Sequence, residues 1–348
     1  MAHLHTTCLK KCSTIFRVLC LWIAFTSCHK EDVLEGVDTQ ALFAPPTQAE
    51  IETVKADWKN RDLAVKGFRL EQAIPLSANG PLLQFVSFEV NNYRQYGALI
   101  IPPTEKPLPV YLSIYGYDNN NPVNQQTLRI NTSQTDSIPF IYAIPALRGQ
   151  TLVLTINGVE YRSPPSEGPH ADAFDGATDD AIAFLNVIQA HFPQADVNKT
   201  AVRGGSRGGT VALLMAERDQ RVKLAVGVAF PTDLIGLTAK NQRDPTYQNQ
   251  FLQGLLNGSG SVAQTRQKMI ASSPLFFCEF LPKTQIHFGA DDKITPVQQG
   301  SLLSNKMHEL GVGNQLEFYT YPGRSHTNIG QDNQELVSRI QTFLSQLF

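Results

Sequence analysis

The sequence predicts an α/β protein: a mostly parallel, eight-stranded sheet with helices on both faces. Three observations predict it. From about residue 82 onward, short β-prone runs alternate with amphipathic helical stretches, the pattern of strands joined by crossover helices. Leu224-Ala225-Val226-Gly227-Val228-Ala229-Phe230 is apolar without alternation, as expected of a central parallel strand buried on both faces. Finally, Gly204-Gly205-Ser206-Arg207-Gly208-Gly209 joins the β-prone Thr200-Ala201-Val202-Arg203 to a helical stretch running to Arg218. A glycine-rich turn of that kind lets strand and helix approach closely.

The elements follow in order. An amphipathic stretch from Thr47 to about Asn60 predicts a helix ahead of the sheet. Leu83 to Val90 and Tyr96 to Ile101 read as two antiparallel strands around an Asn91-Asn92 turn, and Pro102-Pro103 stops the second;. Val110 to Ile114 is the third strand and Phe140 to Ile144 the fourth. Leu152 to Tyr161 reads as a hairpin around an Asn157-Gly158 type I′ turn, a surface excursion from the sheet;. Asp179 to Phe192 places Ala181, Phe184, Leu185, Ile188 and Phe192 on one helical stripe;. The strand before Ser206 is then the fifth and Leu224 to Phe230 the sixth. Gln285 to Gly289 is the seventh, and Leu316 to Tyr321 is the eighth. A last helix carries Leu336, Ile340, Phe343, Leu344 and Leu347 on one face. The long, partly helical stretch 232–273 is expected to form a small cap over the site.

The chain has 348 residues, a formal net charge of −2 and 42% hydrophobic residues. Near-neutral charge with scattered lysine and arginine argues against a nucleic-acid partner. Lys10, Lys11 and Arg17 precede a short apolar core, Val18 to Phe25, too short for a stable membrane span and of the form of a secretory signal. Phe25-Thr26-Ser27-Cys28 resembles a bacterial lipoprotein signal, although Phe25 departs from the usual leucine, and His29-Lys30-Glu31-Asp32 resembles the charged tetrapeptide of surface-exported lipoproteins. The resemblance implies acylation of Cys28, a signal peptide over 1–27 and a tether over 28–46. The folded domain is expected over 47–348, with the protein exported and membrane-anchored, periplasmic or at the cell surface. Cysteines occur at 8, 12, 20, 28 and 278. Cys278 alone lies in the body of the domain, no metal-type spacing exists, and no cofactor is expected.

Gly204-Gly205-Ser206-Arg207-Gly208 is a G-x-S-x-G run in strand-to-helix context, the nucleophile elbow of an α/β-hydrolase fold. A serine hydroxyl needs a base within hydrogen-bond reach, and that base needs an orienting carboxylate. His326, in the Tyr321-Pro322-Gly323-Arg324-Ser325-His326 loop past the last strand, is the candidate base; His170, in a long loop, is its rival, because His191, His287 and His308 fall within helices or a strand. The acid is expected after the seventh strand, where Asp292 is favoured over Asp291 by its register with Lys293-Ile294-Thr295-Pro296. Two backbone donors must face the developing oxyanion. Arg207 N–H, at the start of a helix, is one candidate and Tyr117 N–H, in the Tyr115-Gly116-Tyr117-Asp118 loop, is the other;.

Several of these pieces resemble the catalytic domain of the prolyl oligopeptidase family over roughly residues 82–348. They are Ala146-Leu147-Arg148-Gly149, the Asp179-Asp180 helix leading to Phe192-Pro193, the Ser206 turn, Ser273-Pro274, the Asp292 loop and Tyr321-Pro322-Gly323. The same features are similar to acetylxylan esterases and dienelactone-hydrolase-like enzymes. The resemblance implies a serine hydrolase acting on a small ester or a peptide. It departs from the family pattern in having too little sequence before the sheet for a β-propeller, and in carrying Tyr115-Gly116 where His-Gly is usual. Without a propeller or a visible clamp for a peptide terminus, an ester is slightly favoured. A peptidase, or a binding protein on an inactive hydrolase scaffold, is the alternative.

Overall fold

The protein is described by a computed structural model over residues 33–116, 126–132 and 140–347. Cys28 and Tyr117 lie outside the described residues. The strands are β1 (Lys66–Pro75), β2 (Leu82–Val90), β3 (Tyr93–Ile101), β4 (Leu108–Ile114), β5 (Gln126–Thr132), β6 (Ile141–Ala146), β7 (Gln150–Ile156), β8 (Val159–Arg162), β9 (Ala195–Gly205), β10 (Val222–Val228), β11 (Lys283–Gly289) and β12 (Leu316–Tyr321). The main sheet has nine strands in the order β1-β2-β3-β6-β4-β9-β10-β11-β12. The six from β6 to β12 in that order pair in parallel, and β1, β2 and β3 add an antiparallel edge. The ninth strand is β1, which nearly every residue leaves exposed, so it carries no apolar alternation by which the sequence could announce it.

The Asn91-Asn92 turn forms as expected, with both residues at positive φ;. The Asn157-Gly158 hairpin also forms, but it is not a mere surface excursion. β5 pairs in parallel with β7 to make a second, three-stranded sheet, and Leu152, Leu154 and Ile156 pack with Phe85, Ala98, Ile100 and Ile144 of the main sheet. The hairpin's alternation therefore serves a second layer of core.

Helices α1 (Thr39–Leu42) and α2 (Gln48–Asn60) precede the sheet, and α3 (Asp175–His191) and α4 (Arg207–Arg218) flank β9. Between β10 and β11 come α5 (Leu234–Lys240), the short α6 (Pro245–Tyr247) and α7 (Gln253–Leu256), and α8 (Val262–Ala271); α9 (Gln298–Glu309) and α10 (Gln334–Leu344) follow. One sheet face is covered by α3, α4 and α9, through Phe184, Ile188, Val211, Leu213, Leu303 and Met307. The other is covered by α10, whose Leu336, Ile340 and Phe343 meet Ala201, Leu224 and Val226. Alternate residues of β9 and β10 thus enter opposite layers, which explains the unbroken apolar run of β10. Helix α3 begins a turn earlier than expected, because Asp175 and Asp179 face Arg61 and Arg218 in a buried ionic cluster.

The tether expected over 28–46 does not extend through the described residues 33–46. Leu34 and Leu42 are buried in one cluster with Val54 of α2, Phe174, and Leu234, Phe251, Leu252 and Met269 of the segment between β10 and β11. Arg266 of α8 fastens this arrangement. Its guanidinium donates to the carbonyls of Ala41 (2.8 Å), Leu42 (3.1 Å) and Ala44 (2.9 Å), and its Nε donates to Glu50 Oε1 at 2.6 Å. Glu50 also closes the capping box of α2 with Thr47;. Hydrogen bonding to Arg266 holds the Glu50 carboxyl down at about 2, so the pair persists into acid.

Replacing Arg266 by Leu removes the donor from four main-chain carbonyls and from Glu50 and is expected to cost about 2–4 kcal/mol, read from urea denaturation. Arg266→Lys should recover only part of the loss, because an ammonium cannot reproduce the guanidinium fork.

Candidate active site

Ser206 sits at the carboxyl end of β9, where open α/β sheets place their ligand crevice. Its backbone is at φ 52° and ψ −130°, a region that non-glycine residues rarely occupy. The turn survives because its surroundings leave no alternative. Ser206 N–H donates to Val228 O at 2.9 Å, and Gly209 N–H donates back to Ser206 O at 2.9 Å. A Cβ on Gly204 would collide with the Gly208 carbonyl, and one on Gly208 with the carbonyl of Ile114 on β4. The glycines are therefore required for close approach of strand, helix and neighbouring strand.

Three residues singled out in the sequence, Ser206, His326 and Asp292, converge here. His326 Nε2 is 3.0 Å from Ser206 Oγ, and His326 Nδ1 is 2.9 Å from Asp292 Oδ2. Asp292 is buried, whereas Asp291 is exposed; it is Asp292 that faces the imidazole. Burial raises the Asp292 pKa, but hydrogen bonds from His326 and from Thr295 outweigh it and hold the carboxyl below its ordinary value;. Asp292 is accordingly a carboxylate at neutral pH. His170 is not at Ser206; its ring stands over Gly149.

Of the oxyanion candidates, Arg207 N–H is the first amide of α4, directly after Ser206. Tyr117 lies outside the described residues, but Gly116 before it stands beside the elbow: a Cβ on it would lie 3.0 Å from Ser206 Cβ and 3.7 Å from Arg207 N. Beside Ser206 is a cavity of about 140 Å³, lined among others by Phe174, Leu234, Tyr247, Phe251 and Ile294. Three of these come from the segment between β10 and β11. Their apolar side chains are indistinguishable in sequence from core residues, so the sequence identified the segment without its contact residues. Thr295 was also missed: its hydroxyl reaches both Asp292 and His326.

His287, on β11, is the buried counterpart of the active-site imidazole. Its Nε2 is 2.8 Å from Gln285 Oε1 and its Nδ1 is 2.8 Å from the Tyr321 hydroxyl. The amide oxygen can only accept, so Nε2 carries the proton and Nδ1 accepts from Tyr321. Burial, reinforced by Arg203 and Arg339, pushes His287 down to about 3.

Residues 171–348, just over half of the chain, match the model of the prolyl oligopeptidase family. No curated protein matches the sequence. Among solved structures, acetyl xylan esterase 1 from Thermoanaerobacterium is 14% identical with a TM-score of 0.65, over 89% of this chain and 98% of that one. The acetyl xylan esterase of Paenibacillus sp. R4 is 16% identical with a TM-score of 0.58, over 88% of this chain and 99% of that one. The acylaminoacyl peptidase of Pyrococcus horikoshii is 13% identical with a TM-score of 0.51, over 80% of this chain but 49% of that one. At these identities the likeness is one of fold.

The state of His287 makes a prediction. In the unfolded chain this residue binds a proton near ~6.5, and in the folded protein only near about 3. Unfolded chains therefore bind more protons between those values, and the stability present above pH ~6.5 is lost as pH falls. The contribution between pH ~7 and ~5 is about 2 kcal/mol. Urea titrations at the two pH values should show a smaller drop for His287→Gln than for the wild type, whatever the variant's absolute stability.

Proposed function

The chain belongs to the prolyl oligopeptidase family and is a serine hydrolase, and from that premise we propose that it cleaves carboxylic esters through an acyl-enzyme on Ser206. The observation that carries this reading is the unbroken relay Ser206 Oγ, His326 Nε2, His326 Nδ1, Asp292 Oδ2, with links of 3.0 and 2.9 Å. His326 takes the hydroxyl proton as Ser206 Oγ attacks the carbonyl carbon, and Asp292 compensates the imidazolium that forms. The oxyanion is met by Arg207 N–H, aided by the positive end of α4, and by the amide of Tyr117. His326 then gives its proton to the leaving alkoxide. A water molecule, deprotonated by the same imidazole, releases the acid and restores Ser206.

An ester is preferred to a peptide on the likeness to two acetyl xylan esterases, whose TM-scores of 0.65 and 0.58 exceed the 0.51 of the acylaminoacyl peptidase. The segment 232–273 is read as a cap: Leu234, Tyr247 and Phe251 wall the space beside Ser206. The N-terminal sequence is read as a lipoprotein signal acylated at Cys28. Incorporation of labelled palmitate in the expressing cell, abolished by Cys28→Ser, tests that anchor; unchanged incorporation in the variant sinks it.

A fluorophosphonate probe should label the wild type and leave Ser206→Ala unlabelled. Absence of labelling from about pH 6 to about pH 9 would instead support a scaffold that binds without turnover. On nitrophenyl esters, Ser206→Ala and His326→Ala should lose on the order of 10⁴-fold or more in kcat, and Asp292→Asn about 10³- to 10⁴-fold. Asp291→Asn should stay within about twofold, since its exposed side chain is outside the relay. A panel of nitrophenyl esters of rising acyl length, beside proline- and alanine-based aminopeptidase substrates, decides between ester and peptide. Higher kcat/KM on the peptide set would reverse the preference.

A further inference from the structure

We propose that Thr295 is a positioning residue of the active site, its hydroxyl fixing the Asp292 carboxylate and sharing the Nδ1 proton of His326. The proposal rests on the reading of Ser206, His326 and Asp292 given above. Three atoms form a closed triangle: Thr295 Oγ1 to Asp292 Oδ2 at 2.8 Å, Thr295 Oγ1 to His326 Nδ1 at 3.0 Å, and His326 Nδ1 to Asp292 Oδ2 at 2.9 Å. Two protons serve its three edges. An ionised carboxylate only accepts, so the Thr295 O–H points at Oδ2. The Oγ1 lone pairs then face Nδ1, and the Nδ1–H proton is shared between Oδ2 and Oγ1.

This arrangement settles both ends of the carboxylate. Oδ1 accepts from the amides of Ile294 at 2.8 Å and Thr295 at 2.9 Å. Oδ2 accepts from the Thr295 hydroxyl and the imidazole. Rotation of the carboxylate would break bonds at both oxygens at once. The hydroxyl cannot donate to Nδ1 without abandoning Oδ2, so Nδ1 keeps its proton and Nε2 keeps its lone pair toward Ser206. Thr295 is itself held rigidly. It is buried, its χ1 is restricted by β-branching, and Pro296 confines its backbone to extended conformations.

The positive charge on the imidazole develops only as Ser206 attacks, so a second acceptor on Nδ1–H acts on the transition state more than on bound substrate. Its loss should therefore appear in kcat and not in KM. A crossed pair of variants separates the hydroxyl from packing: Thr295→Val keeps the methyl and loses the hydroxyl, and Thr295→Ser does the reverse. With a nitrophenyl ester, Thr295→Val should lose about 10- to 30-fold in kcat, with KM within about twofold. The rate of fluorophosphonate labelling should fall in parallel, and Thr295→Ser should recover kcat to within about threefold of the wild type. Thermal unfolding of each variant identifies any that fails to fold.

The proposal is overturned if folded Thr295→Val retains kcat within about twofold, or if its defect lies in KM. It is also overturned if Thr295→Ser is impaired as much as Thr295→Val, which would make the methyl the important group. Failure of the parent reading looks different: the wild type would not label at Ser206, or Ser206→Ala would keep its activity.

Discussion

The site depends on one backbone constraint, the positive φ of Ser206 at the junction of β9 and α4. Such a conformation in a residue with a Cβ costs on the order of 1–3 kcal/mol and persists only where neighbouring structure over-determines it. Here β9 lies between β4 and β10 in the middle of the sheet, the Ser206 amide is tied to Val228, and α4 starts within contact of the strand that feeds it. The turn aims Oγ out of the sheet edge and brings the first amide of α4 beside it. The imidazole of His326 and the carboxylate of Asp292 are placed relative to that point by loops that leave the same end of the sheet after β12 and β11.

The support for that edge is largely ionic and buried. Arg148, in the loop between β6 and β7, donates through Nε and Nη2 to the two oxygens of Asp180, at 2.9 and 2.8 Å, and through Nη1 to Asp172 at 2.9 Å. Two stretches recognised separately in the sequence, around Arg148 and around Asp180, are thus the halves of one ion pair. Removing one half of such a pair strands a buried charge and is strongly destabilising. A second cluster joins Arg61, just past the end of α2, and Arg218 of α4 to Asp175 and Asp179 of α3. Through it, and through Arg266, the N-terminal residues belong to the same core that walls the Ser206 cavity. A segment distant in sequence thereby packs behind Phe174, Leu234 and Phe251, which line that cavity.

Where local chemistry set the structure, the residues could be read in order. The Ser206 turn needs glycines at fixed offsets, β10 needs apolar residues on both faces, and the asparagines at 91, 92 and 157 tolerate the positive φ of tight turns. These requirements are met within a few residues, so a linear reading finds them. That reading missed β1, whose exposed residues leave no pattern, and β5, whose parallel pairing with β7 skips over β6.

By itself, then, the sequence determined the α/β layering, the elbow serine and the loops that would bear a base and an acid, because each is written in short-range spacing. Tertiary structure alone decided that Thr295 closes a triangle with Asp292 and His326, and that described residues from Leu34 onward pack as core. Those outcomes depend on distances between residues widely separated along the chain, which closure of the sheet and burial of charge fix together, and which no local pattern encodes.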